Sequence, residues 1–174
     1  MRGVLIESLM DEVPLPAARV ESIIGLLEIL IEQEERVDIF RLGRRLRLPI
    51  DDLIPIIEAA RMLGFVGLVD GDVALTETGR EFAGADIYSR KEIFRRQVLL
   101  VPLVREVMGL VAKAPRRRLA RAWLIRWLER SISELWASRT FEILVNWGRY
   151  AEIIGYSART GELYLMTSCS AVSR

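Results

Sequence analysis

The chain has 174 residues, of which 51% are hydrophobic and 28% charged, so it can bury a substantial core and is not a disordered polypeptide. It contains no histidine and a single cysteine, Cys169, which excludes histidine-based triads, imidazole metal sites and an intrachain disulfide. The net charge of +1 hides a split, because residues 1–86 carry −8 and residues 87–174 carry +9, and this predicts a domain boundary near residue 87.

No run approaches the ~18 uncharged apolar residues that a helix needs to cross hydrocarbon. Ile23–Ile31 contains Glu28, and Val98–Val104 contains Pro102. The N-terminus lacks the pattern of a secretory signal. The expected location is the cytoplasm, at most peripheral to the inner face of the membrane through a partner, with no direct insertion.

Residues 1–18 read as a leader in which Pro14 and Pro16 block helix continuation. From Val20 to about Gln33, Ile23, Ile24, Leu27, Leu30 and Ile31 recur at helical spacing against Glu21, Glu28, Glu32, Glu34 and Glu35. A shorter helix follows over Ile39–Leu46, with Asp38 as its N-cap. The third helix is expected to begin after Asp52 as N-cap, which places Pro55 in its first turn. Ile56, Ala59, Ala60 and Leu63 form its inward stripe, and Gly64 ends it in a left-handed conformation.

Beyond Gly64 the period becomes strand-like. Phe65–Val69 and Asp72–Leu75 flank Asp70-Gly71, a dipeptide suited to a type I′ hairpin turn. Thr76 caps a return helix through Glu77, Arg80, Phe82 and Ala83. Residues 19–86 thus read as a winged-helix-like unit.

The second unit, residues 87–166, is expected to open at a capping box, Ser89-Arg90-Lys91-Glu92, ahead of a helix that Pro102 kinks or divides. Pro115-Arg116-Arg117-Arg118 separates that helix from Leu119–Glu129, where Trp123 and Trp127 share a face. Ser131–Glu134 is a second capping-box candidate, before a helix that stops near Gly148. Arg149–Tyr156 and Glu162–Met166 then bracket the turn SARTG, with residues 167–174 as a tail. The fold class is mainly α with small β-hairpins (α+β), as tandem winged-helix-like units; one continuous helical domain with two hairpins is the alternative.

Four segments carry a more specific likeness: DDLIPIIEAARMLGF at 51–65, GDVALTETGREFAGADI at 71–87, RKEIFRRQVLLVPL at 90–103 and NWGRYAEIIGYSARTGELYL at 146–165. In their order and spacing, over about residues 20–166, the chain resembles the AAA-associated C-terminal domain that follows the ATPase module of nitrate, sulfonate and taurine type ABC transporters. The resemblance implies a module that regulates that ATPase or connects it to another component. It carries over no functional residues and implies no cofactor. The chain itself has no G-x-x-x-x-G-K-S/T loop, so it does not hydrolyse ATP by P-loop chemistry.

The candidate contacts lie in the basic half. Arg116, Arg117, Arg118 and Arg121 cluster, and Arg139, Asn146 and Arg149 belong to the third helix of the second unit or adjoin it. A protein or intramolecular acidic partner is favoured over nucleic acid, although arginine can also hold a phosphate or a guanine edge. The third helix of the first unit begins Asp51-Asp52 and includes Glu58, charges that repel phosphate. The opposite halves could also attract each other or a second copy of the chain.

Trp123, Trp127 and Trp136 serve either the core, which is the favoured reading, or a partner's hot spot. In Trp147-Gly148-Arg149-Tyr150, Trp147 and Tyr150 are expected to pack, Gly148 to bend and Arg149 to point outward. Asp51/Asp52 and Asp70/Asp72 are explained by caps and turns, and Cys169 has no histidine to activate it. The resulting expectation is a non-catalytic accessory module of an ABC-type importer ATPase, with a winged-helix transcriptional regulator as the alternative and a small-molecule sensor third.

Overall fold

Each change of period along the chain becomes a change of element, and the same order of elements is produced twice. The computed structural model describes residues 14–33 and 36–166; most of the leader, Glu34, Glu35 and the tail with Cys169 lie outside them. The first series is α1 (Val20–Glu32), β1 (Arg36–Asp38), α2 (Ile39–Leu46), α3 (Ile50–Met62), β2 (Val66–Val69) and β3 (Asp72–Leu75). Two connecting helices follow, α4 (Glu77–Gly84) and α5 (Ile87–Val98). The second series is α6 (Pro102–Lys113), β4 (Arg118–Ala120), α7 (Arg121–Leu128), α8 (Glu134–Tyr150), β5 (Ile154–Ser157) and β6 (Glu162–Leu165), with a 3₁₀ turn at Pro115–Arg117 before β4.

Both series are helix, strand, helix, helix and hairpin, the winged-helix-like arrangement the sequence led us to expect. Each hairpin gains a third strand, giving antiparallel sheets of order β1-β3-β2 and β4-β6-β5. Their registers correspond: Arg36, Val37 and Asp38 lie opposite Ala74, Val73 and Asp72, while Arg118, Leu119 and Ala120 lie opposite Tyr164, Leu163 and Glu162. The corresponding arginines reach corresponding carboxylates, Arg36 Nε to Asp72 at 2.9 Å and Arg118 Nη1 to Glu162 at 3.5 Å. The strands β1 and β4 were not foreseen, and Leu119, expected in a helix, lies in β4.

Local chemistry sets most boundaries. The Asp38 carboxylate accepts the N–H groups of Phe40 and Arg41, and the Thr76 hydroxyl accepts that of Gly79. Asp70 and Gly71 both have positive φ, 53° and 87°, as a type I′ turn requires. Three caps differ from expectation. The third helix starts at Ile50 behind Pro49, so Asp52 is inside it and so is Pro55. Asp86, not Ser89, caps α5, accepting the N–H groups of Tyr88 and Ser89; these bonds, led by that of Ser89, hold its carboxyl below the usual range. Ser133, not Ser131, precedes α8, without a side-chain cap bond. At Asp86 a competing local cap moves the start, and at Ile50 and Glu134 the helix starts without a side-chain cap bond.

The buried residues, from Leu15 to Leu163, form one connected core. An aromatic row crosses from one series to the other: Phe65 stacks on Phe82 with centroids 4.6 Å apart, Phe94 of α5 lies 6.3 Å from Phe82, and Trp147 and Tyr150 meet Phe94 edge-on at 6.2 and 5.1 Å. Leu15 and Ala18, read as part of a leader, are buried in this core. Trp147 Nε1–H donates to the Ala18 carbonyl at 2.9 Å, and Val20 N–H to Asn146 Oδ1 at 2.9 Å, fastening the start of α1 to α8. The charge split contributes less to the seam than its size suggested; Arg90 reaches Glu28 at 2.9 Å and Arg96 reaches Glu81 at 3.3 Å.

Candidate functional site

The helix α8 carries the residues singled out at 139–150, and its surroundings divide them. Arg121, Asn146, Arg149 and Tyr150 come together around a cleft of about 590 Å³, where they are joined by Arg19, Glu21, Lys91, Phe141, Glu142, Val145 and Tyr156. Arg121 enters from the start of α7, its guanidinium 5.2 Å from the Phe141 ring centroid. Arg149 donates through Nη2 to the Tyr156 carbonyl at 2.6 Å. It is therefore exposed, as expected, and yet tied to β5. The Asn146 amide is oriented by the bond it accepts from Val20, so the amide expected to contact a partner is also the cap that α1 lacks on its own residue Arg19.

Lys91, on the cleft wall, belongs to an ion cluster that joins α5 to the residues after α8. Glu152 accepts Lys91 Nζ at 2.8 Å and Arg95 Nη2 at 3.1 Å. Lys91, and secondarily Arg95, holds the Glu152 carboxyl below the usual range, and the same bond raises the Lys91 amine. Burial raises the Tyr150 hydroxyl, the carbons around it disfavouring a phenolate.

Arg116 and Arg118 line a different, open groove with Pro115, Ala120, Arg159, Thr160 and Glu162. Arg118 is held by Glu162 and lies over the Tyr164 ring at 5.3 Å, whereas Arg116 and Arg117 stand exposed in the left-handed conformation with φ of 56° and 54°. The four-arginine cluster of the sequence is thus divided between two places.

The tryptophans are not equivalent. Trp147 is fully buried, and Trp127 is half-buried against the core. Trp123 and Trp136 are 42% and 39% exposed, which corrects the expectation that both serve the core. Trp123, Arg126 and Trp127 share one face of α7, and with Arg130 just past its end they line one shallow groove. Arg139 packs over Trp136 at 5.5 Å and, among the described residues, pairs with no carboxylate. Gly148 does not bend the chain; α8 runs on to Tyr150, and a Cβ at Gly148 would stand 2.7 Å from Ile154 Cβ, so the glycine admits β5 against the helix.

Arg126 and Arg130 went unnoticed in the sequence, although their spacing from Trp123 was a usable signal. Arg19 and Lys91 carried none, because only the fold brings them near Arg121. The paired carboxylates do no converging chemistry: Asp70 and Asp72 both serve Arg36. Among the described residues no group of three or more His, Cys, Asp or Glu is placed to hold a metal ion, and no helix is long and apolar enough to cross a membrane.

Compared with known families, the chain matches the C-terminal AAA-associated domain over residues 40–157, a span reaching from α2 to the end of β5. No curated protein and no solved structure matches it.

Proposed function

The chain belongs to the C-terminal AAA-associated domain family, and on that premise we propose that it is a non-catalytic accessory module that regulates an ABC-type importer ATPase or links it to another component. The observation that carries this reading is the family match across both series of elements in a chain without a phosphate-binding loop. In this reading residues 19–86 and 87–166 are two winged-helix-like units, and the module reaches the inner face of the membrane through its partner.

The partner contacts we assign are two exposed places in the second half: Arg116 and Arg117 before β4, and the Trp123, Arg126, Trp127, Arg130 groove. Exposed tryptophan and arginine without carboxylate partners are the side chains that dominate protein interfaces. Nucleic acid fits the same half less well. Glu134 and Glu142 share α8 with Arg139 and repel a phosphate backbone along that helix.

The test is a nuclease-treated pull-down from the native lysate with the intact chain and a charge-reversed R116E/R117E variant. Arg118 is left unchanged because its bond to Glu162 supports the sheet. Stoichiometric recovery of an ABC-type ATPase, lost with the variant, is the expected result. Recovery of no ATPase, with salt-sensitive and sequence-selective binding to a DNA duplex, would replace this reading with the transcriptional one.

A further inference from the structure

We propose that the cleft between the start of α1, α5 and the α7–α8 face binds a small organic anion, its oxyanion on Arg121, Arg149 and Asn146 and its apolar part on Val145 and Tyr156. The lining carries four cations, Arg19, Lys91, Arg121 and Arg149, against the carboxylates Glu21 and Glu142, and with Glu152, which pairs with Lys91, the balance is still positive and suits a small anion.

Two of those cations are available. Among the described residues neither Arg121 nor Arg149 makes an ion pair; one rests on an aromatic ring and the other gives a bond to a backbone carbonyl. Lys91 and Arg19 already face Glu152 and Glu21, so they add little net charge to the cleft. The bond from Val20 N–H fixes the orientation of the Asn146 amide, since only its oxygen can accept. Its NH₂ group is left as a donor on the cleft wall. The cleft's volume of about 590 Å³ lies within the usual range for small-molecule sites, and its charged and amide side chains stand beside Phe141, Val145, Tyr150 and Tyr156.

The cleft is built from both halves of the chain. Arg19 and Glu21 belong to the start of α1, and Arg121, Asn146 and Arg149 belong to α7 and α8. A ligand bound here bridges the same seam that Val20 and Asn146 close, and stabilises the whole chain by mass action. A regulatory module with such a site reports the concentration of an anion as the rigidity of its seam.

The experiment is isothermal calorimetry on the full chain with phenyl phosphate, inorganic phosphate and phenol, repeated with Arg121→Gln and, as a distant control, Arg44→Gln. Arg121 is chosen because its side chain gives up only the contact with the Phe141 ring. The expected result is saturable binding of phenyl phosphate at about 1 mM or tighter, roughly tenfold weaker binding of inorganic phosphate, none of phenol, and a loss of about tenfold in Arg121→Gln but not in Arg44→Gln. Absence of saturable heat with both phosphate probes overturns the proposal, as does an Arg121→Gln variant that binds like the parent. Equal affinity for the two phosphates overturns its organic part. No ATPase enters the measurement, so its outcome is independent of the partner reading.

Discussion

Gly64 and Glu152 hold the same place in the two halves: each is the left-handed residue that closes a third helix, with φ of 73° and 57°. The backbone bonds around them match, Phe65 N–H to the Ala60 carbonyl at 2.8 Å and Ile153 N–H to the Gly148 carbonyl at 2.9 Å. Glycine adopts this conformation freely, whereas another residue bears a cost of about 1 kcal/mol. Glu152 offsets that cost by accepting Lys91 and Arg95, which dock α5 onto α8.

Glu152→Gly should therefore be close to neutral, because relief of the left-handed strain compensates for the lost ion cluster. Glu152→Gln keeps the strain and weakens the cluster, and should lower stability by about 0.5 kcal/mol, the modest value expected of a partly exposed pair. Gly64→Ala should lose about 1 kcal/mol or more, since its Cβ also comes within 3.2 Å of Gln97 Oε1. Urea midpoints of the three variants check this; a Glu152→Gly loss larger than that of Glu152→Gln would contradict it.

The same carboxylate sets a pH dependence. Lys91 holds Glu152 below its usual value of 4.5, so its contribution is present above the unfolded value and is lost as pH falls through the folded one. Lys91 is raised above its usual 10.5, so its contribution is present below that value and is lost as pH rises through the folded one. Thermal melts from pH 7 down to pH 3 should show a smaller acid loss in Glu152→Gln than in the parent.

Two glycines test packing against helix propensity. A Cβ at Gly79 would run into the Phe65 carbonyl, where α4 lies directly on the chain leaving α3, while at Gly109 in α6 it would meet nothing within 4 Å. Gly79→Ala should cost about 3 kcal/mol, and Gly109→Ala should stabilise by about 0.5 kcal/mol. Denaturation by urea distinguishes the two signs.

Asn146→Ala should cost about 1 kcal/mol by removing the acceptor for Val20 N–H, and Asn146→Asp should retain most of the stability because the acceptor remains. Trp147→Phe removes the bond to Ala18 and fills less of the core, and should cost about 2 kcal/mol or more. In both Asn146→Ala and Trp147→Phe, amide exchange at the start of α1 should quicken before that of α3.

Features whose chemistry is complete within a few residues were legible in the sequence. Asp38 and Thr76 cap what they were expected to cap, Asp70-Gly71 makes its turn, and Gly64 ends its helix, because each bond or dihedral preference involves neighbours in the chain. The repetition of helix end and hairpin was legible for the same reason, whereas the strand that precedes each pair of helices was not. The two caps read at Ser89 and Ser131 failed because serine followed by glutamate is necessary for that local arrangement and not sufficient for it; Asp86 competes for the first and the packing of α8 decides the second.

Composition by itself removed histidine chemistry and an intrachain disulfide, and local patterning determined the helices and hairpins of the two winged-helix-like series. The strands Arg36–Asp38 and Arg118–Ala120 were decided only in three dimensions, since three residues carry no period and become strands because β3 and β6 each present an open edge. The cleft was decided there too. Arg19, Lys91, Arg121 and Arg149 are distant in sequence, and an aromatic row through Phe94 and Trp147 is what draws the halves close enough for their charges to share one wall. Local bonds are written in neighbouring residues, whereas a shared wall depends on how whole helices pack, and that is a property of the assembled core.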